Sequence, residues 1–205
     1  MKYEKKPHAD RKLQISQAAL ELIADHGLEG VSVGRIARQV GLVPSALYRH
    51  FKNKDEIIMA ANGLLQSKIQ NHLNAALQQH NNPLDQLELF MMGIIRIIRE
   101  VRALPRIVFA PDRTPEAARH KSLALQNLTD YLTQVATIIE NGRKQKLITI
   151  STDSMTLATM LWGTILPGAI LWNLTNGDFD VTRYAHKAWK TFRHTLIQKS
   201  FKGEV

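Results

Sequence analysis

The stretch Ser32 to Lys54, SVGRIARQVGLVPSALYRHFKNK, carries Arg35, Arg38, Arg49, Lys52 and Lys54 and contains no Asp or Glu. It also narrows the fold, because two runs of helical periodicity meet at a single glycine. Ser32 is placed to cap a first helix in which Val33, Ile36, Ala37 and Val40 recur on one side, and Gly41 supplies a left-handed turn. A second helix is predicted from Pro44. In it Leu47 and Phe51, four apart, face inward, and Ser45, Tyr48, Arg49 and His50 are left outward. The predicted geometry is a helix-turn-helix whose outer face is basic, a surface suited to a DNA groove and its phosphates.

The remainder of the chain predicts more helices. Ile15, Ala19, Leu22 and Ile23 form one apolar stripe in a helix starting near Asp10 and ending at Gly27. Asn53 followed by Glu56 is a capping-box pattern that opens a longer helix over 54–79. Asn82-Pro83 opens another, with Leu84, Leu87, Phe90, Met91, Ile94, Ile95, Ile98 and Val101 on its inner side, and Pro105 stops it. A short piece at 106–110 follows, then helices from Thr114-Pro115 to about Gly142, Asp153 to about Asn176, and Asp180 to about Ser200. The Leu147–Ile150 run is read as a loop. The expected fold class is all-α, with about nine helices: a three-helix N-terminal head over 8–54, linked through the 54–79 helix, and a larger body over 55–205.

Composition sets limits. A 205-residue chain can bury a real core, and its formal charge of +9 favours anionic partners. With no cysteine, disulfides and thiolate metal sites are ruled out. The charged N-terminus MKYEKKPHADRK lacks the apolar core of a signal peptide, so a cytoplasmic protein is expected. There is no Gly-rich phosphate loop, no cysteine nucleophile and no His and carboxylate cluster at metal spacing. The chain is therefore read as no enzyme, with no cofactor and no metal.

From Ser154 to Gly177 no residue is charged, a length that approaches a membrane span. Thr156, Thr159, Thr164, Asn173, a central Pro167-Gly168 and the acidic flanks Asp153 and Asp178 argue against insertion. A helix apolar all round can instead be buried against its own subunit on one side and a partner on the other. The competing function is a membrane-associated helical protein that uses this segment and the basic surface.

AALELIADHGLEGVSVGRIARQVGLVPSALYRHFKNKDEII resembles the N-terminal DNA-binding module of the TetR family of transcriptional regulators. The resemblance lies in Ala18-Ala19, Leu22, Gly27, Ser32-Val33, Ile36-Ala37, Gly41, Leu47-Tyr48, His50-Phe51 and Lys54-Asp55-Glu56. It implies that Pro44 to His50 is the recognition helix. By matching position, Tyr48, His50 and Lys54 meet phosphates, with Lys52 beside them. Pro44, Ser45, Ala46 and Arg49 lie nearest the bases, and Ser32, Val33, Gly34 and Arg35 approach from the preceding helix. Arg49 is read either as a bidentate partner of guanine, since only Arg offers a planar fork on a long stem, or as one more phosphate contact. Tyr48 could be a core aromatic instead, and His50 a surface histidine with no role.

Three positions depart from the family pattern. Arg35 stands where an acid usually completes the cap, Val43 where a Ser or Thr usually caps the recognition helix, and Leu28 where an aromatic often follows the glycine.

For the body, the resemblance implies a small-molecule effector pocket and a homodimer. The pocket candidates are Phe90, Met91, Ile94, Ile98, Phe109, Leu125, Tyr131, Met160 and Trp162, each of which could equally be plain core; their character suggests an apolar ligand. The dimer candidates, on the last two helices, are Leu161, Ile165, Ala169, Ala188, Trp189, Phe192 and Leu196. Arg183, Lys187, Lys190, Arg193, Lys199 and Lys202 form a basic run, either a solvated face or a second anion-binding surface. The partners expected are thus an operator in double-stranded DNA, an effector and a second copy, with no membrane. The family's usual mode is repression.

Overall fold

The computed structural model describes residues 8–101 and 115–197. The described residues form eight α-helices and no strand: α1 His8–His26, α2 Val33–Gln39, α3 Pro44–Leu47, α4 Lys54–Gln79, α5 Pro83–Glu100, α6 Pro115–Lys144, α7 Ser154–Leu174 and α8 Val181–Ile197. The short piece expected at 106–110, the Pro105 stop and the pocket candidate Phe109 lie outside the described residues.

The chain divides into two compact units, Met1–Lys68 with Glu100–Ala124, and Ile69–Arg99 with Leu125–Val205. The division falls within helices, so that α4, expected to link head and body, and α6 each contribute residues to both units.

In the first unit, Ile15, Ala18, Ala19, Leu22 and Ile23 of α1 are buried with Ile36 and Ala37 of α2 and with Leu47 and Phe51. Each Ile, Leu or Phe side chain among them contributes roughly 1.5–3 kcal/mol when fully buried. α1 ends where Gly27 adopts φ +70°, its N–H donating to the Ile23 carbonyl at 2.9 Å. Gly41, at φ +67°, turns the chain between α2 and α3 in the conformation that side-chain-bearing residues avoid. α4 begins with the reciprocal cap read from the sequence. Asn53 Oδ1 accepts from the Glu56 N–H at 2.8 Å, and the Glu56 carboxylate accepts in turn, from the Lys52 rather than the Asn53 N–H. Ile57, Ala61, Leu65, Ile69, Leu73 and Ala76 then bury one continuous stripe of α4.

The second unit is built around α5, in which Leu84, Leu87, Phe90, Met91, Ile94, Ile95, Ile97 and Ile98 are all buried. Tyr131 of α6 joins this unit's buried residues, and burial, with Asp130 beside it, pushes its hydroxyl up to about 12, so it stays protonated. The 147–150 run is loop, as expected; the Thr149 and Ile150 N–H groups both donate to the Leu196 carbonyl at the end of α8. Asp153 caps α7 by accepting from the Thr156 N–H at 2.8 Å; the Thr156 side chain, and then this N–H, hold its carboxyl below the usual range.

α7 and α8 pack together where Gly168 lets the Tyr184 ring approach; a Cβ at 168 would stand 2.7 Å from Tyr184 Cε1. The Tyr184 hydroxyl donates to the Thr164 carbonyl at 2.8 Å. Ser154–Leu174 is the one described helix long and apolar enough to cross a membrane, yet Leu157, Ala158, Leu161, Ile165, Ala169 and Trp172 are buried inside the unit. Its inner face is core.

Candidate nucleic-acid interface

All twelve residues expected at the DNA face belong to the first unit, and none of them is buried. Ser32, Gly34, Arg35, Pro44, Ser45, Tyr48, Arg49 and Lys52 are exposed, while Val33, Ala46, His50 and Lys54 are half-buried. The local reason is the inward anchoring of α2 and α3 through Ile36, Ala37, Leu47 and Phe51, which leaves the intervening positions outward. A Cβ added at Gly34 would meet nothing within 4 Å, so the backbone itself is open there to a close approach.

The helical part of α3 is short. After Leu47 the chain continues as a turn held by the His50 and Phe51 N–H groups, which both donate to the Leu47 carbonyl at 2.9 and 3.0 Å. Tyr48 is 56% exposed, so it is not the core aromatic that the sequence left open. Leu47 and Phe51 fill the inward places, and Lys12 Nζ sits 5.4 Å from the centre of the Phe51 ring. His50 has its Nδ1 buried, which fixes the imidazole more firmly than a surface histidine.

The capping at both helix starts follows from the departures noted in sequence. Ser32 Oγ accepts from the Arg35 N–H at 3.2 Å, so half of the capping box survives without its acid. Arg35 instead donates from Nη1 to the Gly30 carbonyl at 2.9 Å. Val43 holds the cap position of α3 with extended backbone and no side-chain hydrogen bond.

Among the described residues no carboxylate lies within ion-pair distance of Arg35, Arg38, Arg49, Lys52 or Lys54, so their charge is free to meet phosphates. The neighbouring Asp55 is engaged elsewhere. Its carboxylate is held by the Arg119 guanidinium and by His120, whose Nε2 is 2.8 Å from Asp55 Oδ1, both from the first turns of α6. Sequence reasoning missed this contact, because nothing local pairs residues 65 positions apart.

Residues 15–61 match the model of the bacterial regulatory proteins of the tetR family. Over that region the chain is similar to the tetR-family DNA-binding head. Over 161 residues, 78% of the chain and 74% of the relative, it is 22% identical to the nucleoid occlusion factor SlmA of Mannheimia succiniciproducens. Its fold is similar to that of a TetR transcriptional regulator from Chloroflexus aurantiacus, with TM-score 0.80 and 16% identity over 94% of this chain and 96% of that one. It is also similar to the regulator FadR from Bacillus subtilis in complex with stearoyl-CoA, with TM-score 0.71 and 21% identity over 89% and 98% of the two chains. The TetR fold accounts for the helix order and for the helix-turn-helix among α1 to α3.

In the second unit the expected pocket and dimer residues fall differently. Phe90, Met91, Ile94, Ile98 and Tyr131 are buried together and Trp162 is half-buried, but Leu125 is 65% and Met160 47% exposed, so these two line no interior space of this chain. An open groove of about 690 Å³ contains none of the nine, being lined by groups that include Arg99, Phe179, Arg183 and Lys187.

Leu161, Ile165, Ala169, Trp189, Phe192 and Leu196, expected between subunits, are at most 5% exposed within a single chain, and Ala188 is half-buried. The first six are core contacts of the subunit itself. The physical reason is that a helix apolar all round gives no sequence signal for which side faces inward. The outward side of α7 is Thr156, Met160, Gly163, Pro167, Leu171 and Leu174, all exposed and none charged. On α8 the half-buried Tyr184, Ala188 and Thr195, together with the exposed Thr191, form an uncharged flank, and the exposed Arg183, Lys187, Lys190 and Arg193 form a separate basic face.

Proposed function

We propose that this TetR-family regulator is a repressor that binds a palindromic operator as a homodimer and is released by a small apolar ligand. The observation that carries the reading is the acid-free, unpaired basic face over α2, α3 and the start of α4, with Tyr48 and Arg49 exposed at its centre. Phosphate neutralisation supplies the affinity and base edges the specificity. The twelve residues Ser32 to Lys54 named above are the proposed contacts, with Arg49 as direct reader and Tyr48, His50, Lys52 and Lys54 positioning the protein. The location that fits is the cytoplasm, on the nucleoid when bound.

A dimer is supported by the uncharged outward stripe of α7. Six exposed positions at intervals of three and four, running Thr156 to Leu174, make an unusual solvated face. The flank of α8 formed by Ala188, Thr191 and Thr195 offers small and uncharged side chains to a symmetric four-helix contact, beside the uncharged Tyr184. Membrane association is disfavoured as the occupant of that stripe, since α7 spends its opposite face inside the subunit.

The effector reading draws on the buried Phe90, Met91, Ile94, Ile98 and Tyr131, whose character suits an apolar guest, and on the FadR likeness, where stearoyl-CoA is bound. α4 starts at the DNA face with Lys54 and continues to Gln79, so a ligand that shifts it changes the spacing between the two heads.

Selection of bound duplexes from a random pool tests operator and symmetry together. Recovered sites are expected to be inverted repeats; sites with no dyad exclude the dimeric operator complex. Effector action is tested by thermal-shift screening followed by titration with and without operator. A coupling of roughly 1–3 kcal/mol weakens operator binding about 5- to 150-fold, and by linkage saturating operator weakens ligand binding by the same factor. Equal ligand affinity in both titrations rules the switch out.

A further inference from the structure

Val43 is 63% exposed, more than any other large hydrophobic side chain in the helix-turn-helix. It holds the cap position of α3 at φ −85° and ψ 149°, and its carbonyl accepts from the Ala46 N–H at 2.9 Å. Its side chain gives the free N–H groups of the first turn no acceptor. Two local disadvantages therefore coincide at one residue. A Ser, Thr, Asn or Asp here would satisfy one of those donors, and an isopropyl group left in water gains nothing from burial. Neither cost is repaid inside the chain, which locates the return outside it.

What lies outside is set by the position. In helix-turn-helix proteins the leading residues of the second helix reach base edges in the major groove, and thymine is the base that presents a methyl group there. Val43 is followed by the exposed Pro44 and Ser45, so the leading end of α3 is apolar and uncharged, whereas Arg49, Lys52 and Lys54 supply charge further along. We infer that Val43 is a specificity-determining residue that reads the 5-methyl group of a thymine in each half-site by apolar contact. This rests on the proposed operator binding and deepens it: the operator carries a thymine at the position facing the start of α3, and the missing cap is the cost of that contact.

The test uses the full-length protein and the operator duplex recovered by selection, with each symmetry-related pair of thymines replaced in turn by deoxyuridine, which removes the methyl and nothing else. One position is expected to lose about fourfold per half-site, about fifteenfold with both replaced, as one buried methyl group is worth. Val43→Ser is expected to bind thymine and deoxyuridine operators equally and to melt no lower than wild type, because serine restores the cap. Val43→Thr, which keeps one methyl, is the second variant and should show a reduced penalty. A Val43→Ser protein that keeps the full deoxyuridine penalty, or an operator in which no thymine methyl matters to the wild type, overturns the inference while leaving specific binding intact. A selection that recovers no preferred sequence overturns the operator reading, and the role of Val43 with it.

Discussion

Arg49→Ala is expected to weaken binding to the cognate operator by roughly 1–3 kcal/mol while changing binding to random DNA little. Arg49 is exposed, and among the described residues no carboxylate pairs with it, so its guanidinium is not committed to holding the fold. Removing it deletes a bidentate contact that exists only on the right base pair. Lys54→Ala and Tyr48→Phe are the controls, because both positions meet phosphate in the proposed complex. Each should weaken cognate and random DNA alike, and the lysine change should also reduce the salt slope by about one unit. The measurement is affinity for both duplexes across a salt series. Equal losses on cognate and random DNA after Arg49→Ala would make Arg49 a phosphate contact and return the direct reading to its neighbours on α3.

Leu171→Glu is expected to convert a dimer into a monomer and, through that, to abolish tight operator binding. Leu171 is 43% exposed in the single chain, so a carboxylate there is hydrated in the monomer and the subunit fold is unaffected. In a symmetric contact across α7 the same carboxylate is buried twice, opposite uncharged partners. An uncompensated buried charge costs about 3–5 kcal/mol, so that even one of the two raises the dimer dissociation constant by roughly two to nearly four orders of magnitude. Sedimentation or light scattering at micromolar concentration reads the outcome directly, and circular dichroism confirms that the helices persist. A Leu171→Glu protein that stays dimeric moves the interface off this stripe. The basic face of α8 provides the contrast: Lys190→Glu, on the far side from that flank, should leave the dimer intact.

Much of this was legible in the sequence because it is local. The start of α4 at Lys54 and its end at Gln79 follow from a cap written in Asn53 and Glu56 and from one apolar stripe repeated every three or four residues. The turn glycines at 27 and 41, the start of α5 at Pro83 and the outward placement of Tyr48 and Arg49 were readable for the same reason. In each case the physical cause acts over less than two turns of helix.

The sidedness of α7 was not readable. Its residues are apolar all round, so periodicity carried no phase, and only packing showed that Leu161, Ile165 and Ala169 are buried inside the subunit while Met160, Gly163 and Leu171 are exposed. The division of the chain into two units followed the same rule, since it falls inside α4 and α6, where no local sequence signal marks it. The engagement of Asp55 by Arg119 and His120 belongs here as well, since an ion pair across 65 residues leaves no mark on either local stretch. By itself the sequence determined the helices and which residues of the helix-turn-helix face outward, because backbone capping and helical spacing are short-range. The tertiary structure alone decided which faces are buried within one chain and which remain exposed, because burial depends on elements that meet only after folding.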